Sequence, residues 1–401
     1  MPSPSPPRAP RAGDSFETGK PGETTGRALA IFLLIRSLHV GGTERQLSYL
    51  ATGLGKLGHD VTVAVYYGGG ALEEDLRRQG VRLVVLGKRG RWDIFGFLRR
   101  LIAELKRCRP DILYSFLGTS NNLAAAVAPF IPDTKLVWSV RASDMNLDAY
   151  DWLARASYRV ECALSRRADL VICNSQAGLE HAARNGFSME KMVVVANGID
   201  TERFKPDRDA RARARAGWNV GEEQILIGTL ARLDPMKDYP TFLRAAAQVA
   251  RQQANVRFVC IGEAEPSLYA SLQGLALELG LAERVVWAGR ADDPASALNG
   301  LDIYCSTSIT EGFSNAIAEA MACGLPCVVT DVGDSRLIVG DSGRVVPAGN
   351  PDQVARALLA TLEEMSDGVT HRARLRVARC FSIEALLENT VKAMGASGRH
   401  F

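Results

Sequence analysis

Two carboxylates, Glu311 and Glu319, bracket the run Glu311-Gly-Phe-Ser-Asn-Ala-Ile-Ala-Glu319, which continues Ala-Met-Ala-Cys-Gly-Leu-Pro326. Glu311 falls in a glycine-containing loop. Glu319 falls about one and a half turns into a short helix, for which Ser314 suits the N-cap and Gly324 with Pro326 the stop. Around Glu319 this helix offers Ala316, Ala320 and Cys323. Among such small apolar neighbours a charge costs on the order of several kcal/mol unless a partner satisfies it. A ligand rich in hydroxyls would do so. The nearby helix start presents free N–H groups, which suit an anion. Hydroxyls with phosphates point to a sugar nucleotide. A buried glutamate paired with a core arginine, beside a solvated loop glutamate, accounts for the same nine residues.

Three further clusters sit where apolar, strand-like runs end. Arg232-Leu-Asp-Pro-Met-Lys237 follows the run Gln224–Leu230. Arg232 could grip a diphosphate with its fork and Lys237 with a point charge, Pro235 stiffening the turn between them; two solvated surface cations are the alternative. Gly41-Gly42-Thr43-Glu44 opens the first long helix, where glycine lets backbone approach a ligand. It lacks the later glycine of a dinucleotide fingerprint and the Gly-Lys-Ser/Thr of a phosphate loop, and a plain tight turn also fits. Arg141-Ala-Ser-Asp144 follows Lys135–Val140. There Asp144 could accept from an acceptor hydroxyl and Arg141 could hold a phosphate, or the two could form an ordinary surface pair.

Composition bounds the class. A chain of 401 residues, 47% hydrophobic, has material for two cores. A net charge of +3 is too near neutrality to imply nucleic acid. No apolar run reaches the roughly 18 residues a membrane span needs. Residues 1–27 are rich in Pro, Gly, Arg and Thr without the apolar core of a secretory signal, and are expected to form a disordered tail. Eight cysteines, none in a Cys-x-x-Cys pair, read as core thiols of a reducing cytosol. The five histidines are scattered and the cysteine spacings fit no zinc pattern, so no metal site is expected. Asp207-Arg-Asp209 has the Asp-x-Asp spacing of metal-dependent sugar transferases, but lies in a linker-like run rather than after a strand.

The elements that must position these residues follow a repeating rhythm of strand and helix. Strands are predicted at Ala28–Ile35, Val61–Tyr66, Val81–Leu86, Ile112–Phe116, Lys135–Val140, Leu170–Asn174 and Met192–Ala196. A second series runs Gln224–Leu230, Val256–Ile261, Val285–Ala288, Ile303–Ser306, Cys327–Thr330 and Arg344–Val346. Helices are predicted between them, among others at Glu44–Leu57, Phe95–Arg107, Ala149–Ser165 and Ala177–Asn185. Continuous apolar strands bounded by helices signal parallel sheets covered on both faces. Two series imply two doubly wound Rossmann-like domains, with a break near Asn197–Glu223. Within the break, Asp207–Ala216 reads as the solvated start of a helix. The default ligand site is the cleft beyond the strands' carboxyl ends. The segment Lys88–Arg109 carries eight basic and two acidic residues, with Trp92, Phe95 and Phe97 near its start. That pattern suits docking on an anionic membrane, and equally an amphipathic helix with a solvated basic face.

Taken in order, Gly41-Gly42, Asn197-Gly-Ile-Asp200, Gly228-Thr-Leu-Ala-Arg232 with Lys237, Gly289 in Val-Val-Trp-Ala-Gly, and the Glu311–Glu319 block with its Gly-Leu-Pro cover nearly all of the chain beyond the tail. The set resembles the retaining glycosyltransferases of the GT-B fold, specifically the family 4 ("group 1") class. The resemblance implies an N-terminal acceptor domain at 28–203, a nucleotide-sugar domain at 204–380, and a C-terminal helix at 381–396 that crosses back to the first domain. It implies Glu319 on the nucleotide ribose, and Glu311 with the amides of Gly312, Phe313 and Ser314 on the donor sugar. Arg232 and Lys237 would bind the diphosphate, and the Gly41 and Gly42 amides would lie near phosphate or sugar. Arg290, just past the strand Val285–Ala288, would lie near the base through its backbone, and Arg141 and Asp144 would stand on the acceptor side. Many members carry a histidine near the position of Arg141, Ser143 and Asp144; this chain has none there.

The implied activity is metal-independent, hexosyltransferase-type transfer with retention from a nucleotide-sugar, by default a UDP-sugar, to a lipid-linked or cell-surface polysaccharide intermediate. No cofactor is implied. The expected setting is cytoplasmic, peripheral on the inner face of the plasma membrane through 88–109. The alternatives are a catalytically inactive sugar-nucleotide-binding protein of the same fold and a GT-B nucleotide-sugar epimerase.

Overall fold

The structure, a computed structural model, describes residues 27–39, 41–90, 93–141, 152–365 and 367–396. In the N-terminal domain the order is β1 (Ala30–Ile35), α1 (Gly42–Lys56), β2 (Asp60–Val65), α2 (Glu73–Arg78), β3 (Arg82–Val85), α3 (Ile94–Cys108), β4 (Ile112–Phe116) and α4 (Gly118–Val127). It continues with β5 (Lys135–Val140), α5 (Trp152–Leu164), β6 (Leu170–Cys173), α6 (Gln176–Arg184) and β7 (Met192–Val194). The second domain has α7 (Arg208–Gly217), β8 (Ile225–Leu230), α8 (Tyr239–Gln252), β9 (Val256–Ile261), α9 (Pro266–Glu278), β10 (Val285–Gly289), α10 (Pro294–Asn299) and β11 (Ile303–Ser306). There follow α11 (Asn315–Ala322), β12 (Cys327–Thr330), α12 (Ser335–Val339), β13 (Gly343–Val346), α13 (Pro351–Glu363), α14 (Asp367–Cys380) and α15 (Ile383–Ala396).

The strands form two wholly parallel sheets, ordered β3-β2-β1-β4-β5-β6-β7 and β10-β9-β8-β11-β12-β13. This is the GT-B architecture of two doubly wound Rossmann-like domains. Every predicted strand is present, its ends shifted by two residues at most. Strands such as β4 and β12 are buried along their whole length, because helices cover both faces. Strand order reverses between β1 and β4 and again between β8 and β11. Those two switch points are where open α/β sheets leave a crevice for ligands.

The last two helices bridge the domains. Val377 and Phe381 join the second domain's core with Ile317 and Met321. Leu386 and Met394 of α15 join the first domain's core with Leu47, Leu50 and Leu54 of α1. Burying each such side chain contributes roughly 1.5–3 kcal/mol, so the C-terminal segment ties the two domains together, α14 and Phe381 on the second and α15 on the first.

Two surface expectations need correction. The Arg/Ala run forms α7, capped by Asp207 accepting from the Ala210 amide, but it is not simply solvated. Arg215 is buried, and with Arg211 it grips Asp302 across the domain at 3.1 and 2.7 Å. In α3, Phe97 is not part of an exposed aromatic edge; it is buried, its ring centroid 4.9 Å from that of Tyr66. Phe95 is 89% exposed. Trp92, the tail 1–26, Asp144 and the start of the helix predicted at Ala149 lie outside the described residues.

Candidate functional site

The second domain's switch point is built from the loops after β8 and β11. Asp234 shapes the first, accepting from the Met236 amide at 3.0 Å and from Arg232 Nη2 at 3.2 Å. A single 3-10 turn, Pro235–Lys237, then feeds α8, which Asp238 caps. Thr307 Oγ1 donates to the carbonyls of Lys237 and Asp238, and the Ile309 amide donates to Met236. The two loops are thereby stitched into one surface. Across it Lys237 Nζ meets Glu311 Oε1 at 2.5 Å, and Ser308 Oγ donates to the same oxygen at 2.8 Å. Lys237 remains partly exposed and Glu311 nearly buried, so the carboxylate holds a fixed ammonium at the strand ends.

Beside this pair lies a hollow of about 880 Å³ at the carboxyl ends of β8, β9 and β10. Arg232 and Arg290 line it with Gly262, Glu263 and Pro294. Its volume falls within the roughly 300–1,000 Å³ of small-molecule sites. Arg232 projects into solvent, 73% exposed, and keeps freedom to follow a ligand. A second hollow, about 710 Å³, lies at the opposite, amino ends of β11, β12 and β13 among Asp302, Cys323, Gly343 and Arg344; none of the expected site residues lines it.

The Glu311–Glu319 block runs from this surface into α11. Phe313 is anchored by an edge contact with Phe381, centroids 5.3 Å apart. Ser314 occupies the N-cap position of α11 as expected, but its side chain makes no capping bond. That leaves the helix's first amides without a side-chain cap. Glu319 is buried at 4% exposure, and burial pushes its carboxyl above the ordinary range, with Arg45 opposing. Its partner is an arginine, though not one from its own core. Arg45 Nη1 reaches Oε1 at 3.2 Å from α1 of the other domain.

The first domain's residues meet α11 at the same place. A Cβ on Gly42 would stand 3.3 Å from Asn315 Nδ2, so the Gly41-Gly42 turn faces the head of α11. Asn197 Nδ2 donates to Asn315 Oδ1 at 2.8 Å. Arg141 donates through Nη1 to Asn197 Oδ1 and through Nε to Ser139 Oγ. The structure therefore gathers Gly41, Gly42, Arg141 and Glu319 around the cleft. It gathers Lys237 with Glu311, Gly312 and Phe313, and Arg232 with Arg290, in two adjoining groups of the second domain.

Sequence reasoning missed Arg45, Asn315 and Glu161. Arg45 had one signal, its place in the first turn after the paired glycines. Glu161 had none, lying mid-helix in α5. It is buried, accepts from Asn121 Nδ2 at 2.7 Å, and stands against the head of α4, where a Cβ on Gly118 would come within 2.3 Å of Oε2. Asn121 in turn accepts from Ser115 Oγ at 2.7 Å. A helix start favours a carboxylate, yet burial outweighs it and raises Glu161 above its ordinary range.

Residues 40–203 match the family described as Glycosyltransferase Family 4, and residues 224–364 match Glycosyl transferases group 1. A D-inositol 3-phosphate glycosyltransferase of Mycobacterium marinum is 33% identical over 219 residues, 52% of this chain and 45% of that protein. The N-acetylgalactosamine-N,N'-diacetylbacillosaminyl-diphospho-undecaprenol 4-alpha-N-acetylgalactosaminyltransferase of Campylobacter jejuni is 29% identical over 202 residues, 49% of this chain and 52% of that one. With several such relatives the match spans only about half of their length. The crystal structure of Anabaena HepE in complex with UDP superposes with a TM-score of 0.80 at 22% identity, covering 92% of this chain and all of that one, a likeness of fold. The chain belongs to glycosyltransferase family 4, group 1, with the GT-B fold.

Proposed function

We propose that this family 4 member transfers a glycosyl group from a UDP-sugar to a hydroxyl of a lipid-linked or surface-glycan acceptor, with retention of anomeric configuration. The observation that carries the reading is Lys237, fixed by Glu311 at the second domain's switch point, beside a hollow lined by Arg232 and Arg290. Lys237 and Arg232 neutralise the donor diphosphate. The ribose hydroxyls bond to Glu319, taking over from Arg45, and Arg290 passes the base. Glu311 and the amides of Gly312, Phe313 and Ser314 hold the sugar, and the amides of Gly41 and Gly42 close over it. Arg141 and Asp144 face the acceptor. HepE, the structural neighbour solved with UDP, supports the choice of base.

The chemistry follows from charge. As the C1–O bond to the diphosphate breaks, negative charge grows on the leaving oxygen. Fixed donors aimed there stabilise the transition state, each worth about 3–4 kcal/mol. The acceptor oxygen forms its bond to C1 on the face being vacated, and its proton passes to the departing phosphate. Protein cations do the work otherwise given to a divalent ion, so transfer should persist in EDTA. A lipid-borne acceptor is supported by the diphospho-undecaprenol in the name of the Campylobacter relative. It is also supported by exposed Ile94 and Phe95 at the head of basic α3, which suit an anionic leaflet on the cytoplasmic side. No helix among the described residues is long and apolar enough to cross a membrane.

The test is product analysis with a panel of UDP-sugars, with and without acceptors, by mass spectrometry and proton NMR of the new linkage. The expected product keeps the donor's anomeric configuration. Tight UDP binding with neither transfer nor hydrolysis would replace this reading with a binding protein, and an isomerised donor would replace it with an epimerase.

A further inference from the structure

Asp334 stands at the N-cap position of α12, yet its carboxylate makes no bond to that helix. Both oxygens reach across to the other domain. The Gln176 amide donates to Oδ2 at 2.8 Å and the Ala177 amide to Oδ1 at 3.1 Å. These are the first two amides of α6; the third, of Gly178, is satisfied within its own domain by Ser175 Oγ. The contact is buried, Asp334 being 4% exposed.

The same residue is tied to the loop expected to hold the sugar. The Asp334 amide donates to the Gly312 carbonyl at 3.0 Å. Gly333, at φ +54°, lies so close that a Cβ there would stand 2.2 Å from the Glu311 carbonyl oxygen and 2.6 Å from that of Gly312. Only glycine accepts that conformation and that approach. The donor loop and the Asp334 turn are therefore one packed unit, with a carboxylate on its far side that binds the first domain. On either flank of the contact, Asn174 Oδ1 and Ser335 Oγ are buried without a hydrogen-bond partner, so neither atom adds a polar bond across the domains beside the bidentate one.

We infer that Asp334 is a positioning residue, a latch that joins the donor loop of the second domain to the head of α6 in the first and so couples filling of that loop to closure of the cleft. When the domains part, the two α6 amides and the carboxylate pass to water. When they close, the latch sets Gly312 and Glu311 against the acceptor domain. The role of the donor loop rests on the transferase reading above; the latch itself rests on the contact.

The experiment compares wild type, Asp334→Ala and Asp334→Asn by steady-state kinetics, UDP titration calorimetry and small-angle X-ray scattering with and without UDP. Asp334→Ala should lower kcat at least tenfold while the Kd for UDP stays within threefold. Its radius of gyration should exceed that of wild type. Asp334→Asn, which keeps one oxygen acceptor, should fall between the two in kcat and in scattering. Wild-type kcat and scattering in a folded Ala variant would overturn the latch. So would a rise in KM for the UDP-sugar as large as the loss of kcat, which would mean that Asp334 merely builds the donor loop. If wild type shows no transfer at all, the functional reading fails separately, and the scattering comparison still decides the latch.

Discussion

Replacing Arg45 by methionine removes the partner of a buried carboxylate while keeping most of the side chain's apolar bulk. Glu319 is 4% exposed, and Arg45 is the only cation in ion-pair contact with it among the described residues. Breaking a buried pair from one side costs about 3–5 kcal/mol. Here the arginine side chain is 22% exposed, the contact is 3.2 Å, and Arg45 Nε is itself buried without a partner. The pair also lies between the two domains, Arg45 on α1 of the first and Glu319 on α11 of the second. Those features reduce the expected loss to about 2 kcal/mol, or roughly 2–3 °C in Tm for a chain of this length melting as one unit. Saturating UDP should restore at least half of the loss, because ribose hydroxyls satisfy Glu319 in place of the guanidinium. The assay is thermal denaturation of wild type, Arg45→Met, Glu319→Gln and the double variant, each with and without UDP. In the double variant the Arg45 penalty should largely vanish, since no charge remains to be orphaned. An equal UDP-induced shift in wild type and Arg45→Met would refute the exchange of arginine for ribose.

Other outcomes follow from the same geometry. Lys237→Ala should lower kcat about 10²- to 10³-fold, the usual loss for one preorganised donor; stopped-time product assays check it. For Glu161, burial raises the folded carboxyl above its unfolded value. Its contribution to stability is therefore present below about pH 4.3 and lost as pH rises through the raised folded value. Glu161→Gln should accordingly gain in Tm relative to wild type between pH 4 and 7, and the opposite slope would show that the head of α4 outweighs burial. Burial also pushes the Cys173, Cys305 and Cys323 thiols up to about 12 and those of Cys260 and Cys327 higher still. Native labelling with iodoacetamide, read by mass spectrometry, should reach Cys108, Cys162 and Cys380 first and spare those five.

Much of the architecture was legible because parallel strands buried on both faces read as unbroken apolar runs. The strands at Ile112–Phe116 and Cys327–Thr330 are buried throughout, so neither needed an amphipathic signal. The loops after β8 and β11 were legible too, since charges clustered just past a strand have few structural uses. What the chain did not disclose is pairing between distant segments. Glu319 and Arg45 are far apart in sequence, as are Asp334 and Gln176, and no local period marks such partners. The Arg/Ala run misled for the same reason, because the role of Arg215 is set by Asp302, which comes much later in the chain. Phe97 faces the core while Phe95 faces solvent, a division that aromatic content near basic residues does not reveal.

A crystal structure with an intact UDP-sugar tests the central claim most directly. It should show the diphosphate within about 3 Å of Lys237 Nζ and the Arg232 guanidinium, the ribose on Glu319, and Arg45 displaced from that carboxylate. A nucleotide bound instead in the hollow bounded by Asp302, Cys323 and Arg344, or anywhere outside the cleft, would contradict the account.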